Sequence, residues 1–331
     1  MKSSLRHMPR RQLLLSTALV LGISPLHAQD AYPARSITLI IPVSAGSQID
    51  AIGRALADSM GKQAGQPVVV LNREGAGMAL GMDVIAKARP DGYTVGFGSE
   101  SPISTLPHLK SSLPYKPADF ELVCRTNVAN MAVVVGPDSP FKNFDDVIAA
   151  ARKAPGKLNY GTAGIGTPPH LLIEAMATEL GIQLSHVPFR AIGDMAVQTM
   201  NGSVDFTVTV PNMLAANGAR GMRGLALTGE SGMAELPPMP LVRDIVGKNS
   251  PIANYGVGGL GIYAPKGLRP EMLAWLRTAC KSATESAGFA TASSRTLTPM
   301  RYADGADFLR DMQATSRVSG ELVRKLNIKL E

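Results

Sequence analysis

Cysteine, histidine and aromatic residues are scarce in this chain: 331 residues include two cysteines, five histidines, one tryptophan and 5% aromatics. Two cysteines cannot build a zinc ribbon or a multi-bridge scaffold. The dispersed histidines show no His–Glu pair at ligand spacing, so neither a metal site nor a cofactor is expected. A Walker-type Gly-x4-Gly-Lys-Ser/Thr is absent, and so is Gly-x-Ser-x-Gly, which removes the simplest kinase-like and hydrolase readings. Asp50 and Asp205 are isolated carboxylates with no second acid or base beside them, so no acid–base couple is expected and the chain reads as non-catalytic. No apolar run is long enough to span a bilayer, the longest being the eleven residues Leu13 to Ile23. Basic clusters are missing as well. The net charge is +7, but residues 1–28 carry Lys2, Arg6, Arg10 and Arg11 and no acid, leaving 29 basic and 26 acidic residues, or +3, for the rest. These are scattered, which excludes a nucleic-acid stripe or a polybasic membrane patch.

The N-terminus itself reads as an export signal. A cationic segment ending in Arg10-Arg11 precedes the short apolar run, and Leu26-His27-Ala28 supplies a cleavage site before Gln29. Residues 1–28 are therefore expected to be a signal peptide and the mature chain to work in the periplasm. Arg10-Arg11-Gln12-Leu13-Leu14 also fits a twin-arginine signal, so both export routes stay open. An oxidising compartment would permit a Cys124–Cys280 bridge. Cys280, however, sits in the helical pattern Leu273 to Lys281, where a buried free thiol is the plainer reading.

Beyond the leader, strand-like runs alternate with helical periodicity, which predicts an α/β fold with mainly parallel sheets. One series runs from Ile37 to Gly98 and a second from Met131 to Thr228. Gly256–Ala264 then adds a further strand, and two amphipathic helices, near 270–287 and 303–326, close the chain. That late strand suggests a return to the first lobe, with crossings near residues 125–131 and 250–256. The expected division is 29–128 with 253–331 as one lobe and 129–252 as the other.

Two strand-to-helix turns share one design. The first is Pro42-Val-Ser-Ala-Gly-Ser-Gln-Ile-Asp50 and the second Gly161-Thr-Ala-Gly-Ile-Gly-Thr-Pro-Pro-His170. The first turn of any helix presents N–H groups without intrahelical partners, and the helix dipole adds positive potential there. Such a turn can hold an anion without lysine or arginine. Ser47 and Asp50 have capping-box spacing, and Ser44, Ala45 and Gly46 are small enough for a guest to approach the backbone. In the second turn Thr167 is placed to cap a helix that opens on Pro168, and Thr162 and Thr167 can add hydroxyl donors. His170 suits a ligand contact or a cap equally well. His186 suits a core or cleft-wall position. Gly256-Val-Gly-Gly-Leu-Gly261 matches a dinucleotide fingerprint only as text, because Ile262-Tyr-Ala-Pro265 continues as a strand instead of opening a helix.

Tyr32-Pro-Ala-Arg-Ser-Ile-Thr-Leu-Ile-Ile-Pro42, Gln66-Pro-Val-Val-Val-Leu-Asn-Arg73 and Ala88-Arg-Pro-Asp-Gly-Tyr-Thr94 carry a family resemblance. So do Pro155-Gly-Lys-Leu-Asn-Tyr-Gly161, His186-Val-Pro-Phe189, Asn201-Gly-Ser-Val-Asp205 and Leu225-Ala-Leu-Thr228. In this order they resemble Bug-type solute-binding proteins, the receptors of tripartite tricarboxylate transporters. The resemblance implies a two-lobed periplasmic binding fold of the type II, Venus-flytrap kind. It also implies a monomer that closes on a small carboxylate and delivers it to membrane permease subunits. An orphan receptor that senses the solute and signals to a partner would share the same fold. By motif position the ligand-binding residues are Ser44, Ala45, Gly46, Ser47 and Asp50 in one lobe. In the other they are Thr162, Ala163, Gly164, Gly166, Thr167, Phe189 and Thr209. The first turn departs from the family's usual Pro-Phe-Pro-Pro-Gly-Gly pattern, with Val43 for the aromatic and Gln48 and Ile49 for smaller residues. Arg190 is a possible cation at the cleft, and a solvated surface arginine fits as well. Thr209 stands where many members carry an aspartate, which implies a solute without an ammonium group.

Overall fold

The computed structural model describes residues 32–330 apart from 190, 191, 231 and 257. The signal-peptide reading of residues 1–28, its twin-arginine pair and Arg190 lie outside the described residues.

Ile37–Ile41 (β1) is an almost continuous apolar run and is buried on both faces, as a strand covered by helices on two sides should be. It pairs in parallel with Val68–Asn72 (β2) and Thr94–Ser99 (β3). Gln48–Ala64 (α1) and Ala79–Ala86 (α2) follow β1 and β2. The short helices Ser101–Ser104 (α3) and Leu106–Leu109 (α4) follow β3. Phe120–Ala129 (β4) then leads the chain toward the second sheet.

That second part contains Ala132–Val135 (β5), Phe144–Lys153 (α5), Asn159–Thr162 (β6), Pro168–Leu180 (α6) and Ser185–Pro188 (β7). Ile192–Met200 (α7), Phe206–Thr209 (β8), Pro211–Gly218 (α8), Arg223–Leu227 (β9) and Val242–Val246 (α9) complete it. Gly258–Pro265 (β10) returns to the first sheet. Pro270–Thr284 (α10), Ala287–Arg295 (α11), Met300–Asp304 (β11) and Gly305–Lys325 (α12) end the chain.

The six-stranded sheet has the order β11-β4-β10-β3-β1-β2 and the five-stranded sheet β7-β6-β8-β5-β9. Both are mixed, which corrects the expectation of mainly parallel sheets. β4, β10 and β11 pair antiparallel with their neighbours in the first sheet, and β5 pairs antiparallel with β8 and β9 in the second. The physical reason is the crossing itself: a strand that carries the chain between sheets runs against the direction set by the βαβ units. The crossings meet at a small latch. Met131 N donates to Thr228 Oγ1 (2.7 Å), Thr228 N donates to Met131 O (2.9 Å), and Thr228 Oγ1 donates to Gly256 O (3.0 Å).

Of the glycines that imitate a dinucleotide fingerprint, Gly259 and Gly261 serve packing. A Cβ on Gly259 would lie 2.7 Å from the Phe308 ring and 2.8 Å from Glu100 Oε2, so α12 and a buried glutamate both use the space it leaves. Cys124 on β4 and Cys280 on α10 form a disulfide inside the first core, their Cα atoms 6.6 Å apart and 156 residues apart in sequence. Both cysteines are fully buried beside Val123, Leu276 and Phe289, so the bridge replaces the free thiol of the plainer reading. The expected helix near 270–287 is α10, which ends at Thr284, and a further helix that the sequence reading did not separate follows it. Ser286 caps this second helix, its hydroxyl accepting from Phe289 N (3.3 Å).

Candidate functional site

Both Gly- and hydroxyl-rich turns sit at the carboxyl ends of strands, where α/β sheets place their ligands. The two are held differently. In the first, Ser47 is the N-cap of α1 and accepts from Asp50 N (3.3 Å). The Asp50 carboxylate is buried, at 2% exposure, and reaches back past Ser47 to accept from Gly46 N (2.8 Å). It also accepts from Arg54 Nε (2.9 Å) and Asn72 Nδ2 (2.9 Å). Burial pushes this carboxyl up, but the Arg54, Gly46 and Asn72 hydrogen bonds together hold it below the usual carboxylate range. Asp50 thus shapes the turn from below. Ser44 donates to Glu74 on the exposed side, and Ala45 is exposed. Gln48 reaches away to Thr296 O (2.9 Å) and Thr298 Oγ1 (2.6 Å). The amides of Ala45, Gln48 and Ile49 have no protein acceptor among the described residues.

In the second turn, Thr167 Oγ1 (2.7 Å) and Thr162 Oγ1 (3.2 Å) both donate to Gly164 O, and Thr162 also bonds His186 Nε2 (2.7 Å). Gly166 N donates to His170 Nδ1 (3.0 Å), so His170 locks the turn and one expected free amide is occupied. Gly164 has φ +129°, a conformation that L side chains rarely adopt. With its carbonyl gripped by threonines, the N–H groups of Ala163, Gly164, Ile165 and Thr167 are left without a protein acceptor among the described residues. Below the turn, Tyr160, His170 and His186 pack ring on ring, with His170 and His186 centroids 4.0 Å apart. Burial lowers His170 to about 4, and burial followed by the neighbouring His170 lowers His186 to about 4. Both rings are therefore neutral near pH 7. Phe189 follows β7, its N–H on Thr162 O (2.8 Å), and packs with the cluster around Met195 and Leu214.

A cavity of about 220 Å³ lies between the two turns. Ile49 borders it from the first turn of α1, and Ala163, Pro168 and Pro169 border it from the second turn and the start of α6. Thr209 lines it too, its hydroxyl turned to Met213 Sδ (3.2 Å). Of the other expected residues, Ser44, Ala45, Gly46, Ser47, Asp50, Thr162, Gly164, Gly166, Thr167 and Phe189 stand behind or beside the cavity and do not line it. Residues that sequence reasoning missed include Glu100, Thr105, Asn130, Tyr255 and Thr315. The only signal for Glu100 was its place at the end of β3. Among the described lining residues there is no lysine, arginine or histidine, and Glu100 is the one carboxyl. A larger cavity of about 620 Å³ shares Asn130, Tyr255 and Thr315. Its walls carry the ion pairs Arg125–Asp311 (2.5 Å) and Arg301–Glu230 (3.1 Å), and neither turn reaches it.

Two α/β lobes with a cleft at the strand ends define a two-lobed periplasmic binding fold. A solved structure described as a periplasmic transporter superposes with a TM-score of 0.78 at 27% identity, covering 91% of this chain and 100% of that one. R. palustris Rpa4515, solved with adipate, superposes with a TM-score of 0.77 at 24% identity, covering 90% and 99%. A UPF0065 protein from Bordetella pertussis is 28% identical over 318 residues, 96% of this chain and 97% of that protein. Residues 52–328 match the tripartite tricarboxylate transporter family receptor, and the chain belongs to that family. The family is one of solute-binding receptors, not of enzymes. Among the described residues no helix is long and apolar enough to cross a membrane, and no group of three or more His, Cys, Asp or Glu could hold a metal.

Proposed function

We propose that this chain is a periplasmic receptor whose lobes, residues 29–128 with 253–331 and residues 129–252, close on a small organic carboxylate. The carboxylate is then handed to membrane permease subunits. The observation that carries this reading is the set of amides at Ala163, Gly164 and Ile165 that have no protein acceptor among the described residues, beside a cavity whose described lining holds no cationic side chain. A carboxylate that accepts two or three backbone N–H bonds is held by charge-assisted hydrogen bonds without a buried ion pair. The first turn contributes from the other side through the amides of Gln48 and Ile49, at the positive end of the 17-residue helix α1. The volume of about 220 Å³ suits a compact aliphatic acid. Rpa4515 with adipate is an example of that chemistry on the same fold.

Thermal-shift screening of the mature protein against mono-, di- and tricarboxylates, followed by calorimetry, tests the reading. A ligand at 100 times its Kd stabilises the native state by about 2.7 kcal/mol, an easily measured rise in Tm. A panel that shifts nothing, beside neutral or cationic solutes that do, would overturn it. Deletion of the gene separates delivery from sensing: delivery requires loss of solute uptake, whereas intact uptake with lost induction would make the protein a sensor.

A further inference from the structure

Glu100 is 3% exposed, lies on the wall of the 220 Å³ cavity, and has an Oε1 with no hydrogen-bond partner. It sits at the end of β3, with its own amide on Gly259 O (2.9 Å). An unpartnered carboxyl oxygen at that depth is costly unless something enters the cavity to meet it. Its surroundings are specific. From β10 the Gly259 amide and Tyr263 face it, and from α12 Asp311 and Thr315. Arg125 faces it from β4 and Tyr255 from the segment before β10. Arg125 is already engaged by Asp311 Oδ2 (2.5 Å) and by Arg301 O (3.0 Å), so that pair leaves little net charge at Glu100. Tyr255 is pushed up to about 12 by burial, and Tyr263 is raised well above the ordinary value, so neither ionises near neutral pH. The walls formed by α1, α6, α7 and β8 contribute Ile49, Pro168, Pro169, Met195, Val208 and Thr209, none of which titrates.

An anionic solute admitted to this cavity would face an ionised Glu100 with no cation among the described lining residues between them. The protonated carboxyl has no such conflict and gains a donor. We propose that Glu100 contacts the bound solute as a neutral carboxylic acid, so that binding of a carboxylate takes up one proton. This rests on the carboxylate reading above and gives it a specificity: a solute with an acceptor, rather than an ammonium, at the end that meets Glu100. Burial, opposed by the Thr315 hydroxyl, the Gly259 amide and Arg125, already holds the carboxyl up at about 7. An added carboxylate raises it further. The sign follows from linkage. Affinity is flat where free Glu100 is protonated, below about pH 6, and falls about tenfold per unit once free Glu100 is ionised, above about pH 8.

The probes are adipate, malate, hexanoate and acetate, each fully ionised above about pH 6.5. The one that binds the mature protein is titrated calorimetrically at about pH 8 in phosphate and in Tris, whose ionisation enthalpies differ. Uptake of close to one proton and an affinity that falls with pH support the proposal, and Glu100→Gln should abolish both the uptake and the slope. Binding without proton exchange, or with proton release as an ammonium would cause, overturns it and leaves the carboxylate reading standing. Failure of these four and of the whole mono-, di- and tricarboxylate panel, beside neutral or cationic solutes that bind, removes the carboxylate reading, and this inference with it. The wild-type proton count decides the matter even if the variant does not fold.

Discussion

In the first lobe the glycine–hydroxyl turn is held by an ionised carboxylate, Asp50, which gathers the Gly46 amide, Arg54 and Asn72. In the second lobe two threonine hydroxyls and a neutral histidine hold the corresponding turn. The sequence grammar is common to both, a strand, small residues and a helix start, but the electrostatics are opposite. The Asp50 carboxylate, paired with Arg54, occupies the Gly46 amide and so takes one donor from the first turn. The second turn keeps its amides over a neutral aromatic layer. The lobes differ in their cores as well, since the first is cross-linked by Cys124–Cys280 and no such bridge exists in the second. One lobe is a braced frame; the other carries the turn proposed above as the anion cradle.

The largest expected effect breaks the frame. Closing a loop of 156 residues is worth about 5 kcal/mol on the chain-entropy account, and measured losses run at about 2–5 kcal/mol. Reduction, or Cys280→Ala with Cys124→Ala, should therefore destabilise the protein by about 4 kcal/mol. Amide exchange should accelerate in the first sheet before the second, and equal acceleration in both would contradict the contrast between the lobes.

Next is the cradle. Gly164→Leu forces a side chain onto φ +129° and displaces the amides on either side. Losing two charge-assisted bonds at about 1.5 kcal/mol each weakens binding about a hundredfold or more. Gly46→Ala, at φ +80° with open space around its Cβ, should cost about 1 kcal/mol of stability and less than tenfold in affinity. Equal losses in calorimetric Kd would make the turns equivalent jaws.

Acid should separate the lobes by titration. His170 and His186 are held down at about 4. The unfolded state therefore binds more protons between about pH 6.5 and 4, and stability of the second lobe falls across that window, by roughly 3 kcal/mol for buried His170 and by less for His186, whose partly exposed ring is screened by solvent. Asp50 is held below the ordinary carboxylate range, so its contribution is fully present above about pH 4 and is lost only as pH falls through its lower folded value. Lobe-resolved hydrogen exchange should show the second turn loosening first. The smallest effect belongs to Ser44→Ala, which removes an exposed contact with Glu74 and should change stability and Kd by less than about 0.5 kcal/mol.

Much of this was legible in the sequence, and for physical reasons. The two turns announced themselves because small residues and hydroxyls at a helix start leave few alternatives. Phe144–Lys153 and Pro168–Leu180 carry amphipathic spacing with a cap or an opening proline, and both helices have those bounds. β4 was harder to see. It is buried along most of its length and carries the polar pair Thr126-Asn127, in which Thr126 Oγ1 donates to Asn127 Oδ1 (2.8 Å) and Asn127 Nδ2 reaches the distant Ser293 Oγ (3.0 Å) and Thr298 O (3.0 Å). Strand direction was also hidden, because periodicity does not say which way a returning strand runs. Glu100 reads as an ordinary loop acid until the register of β10 on β3 places Gly259 beside it.

The amide spectrum of isotopically labelled mature protein, titrated with the carboxylate that calorimetry selects, tests the central claim most directly. The account predicts that the N–H resonances of Ala163, Gly164 and Ile165 shift most, with smaller shifts at Gln48 and Ile49. Saturating ligand that leaves Ala163, Gly164 and Ile165 unmoved, while resonances elsewhere respond, would contradict it.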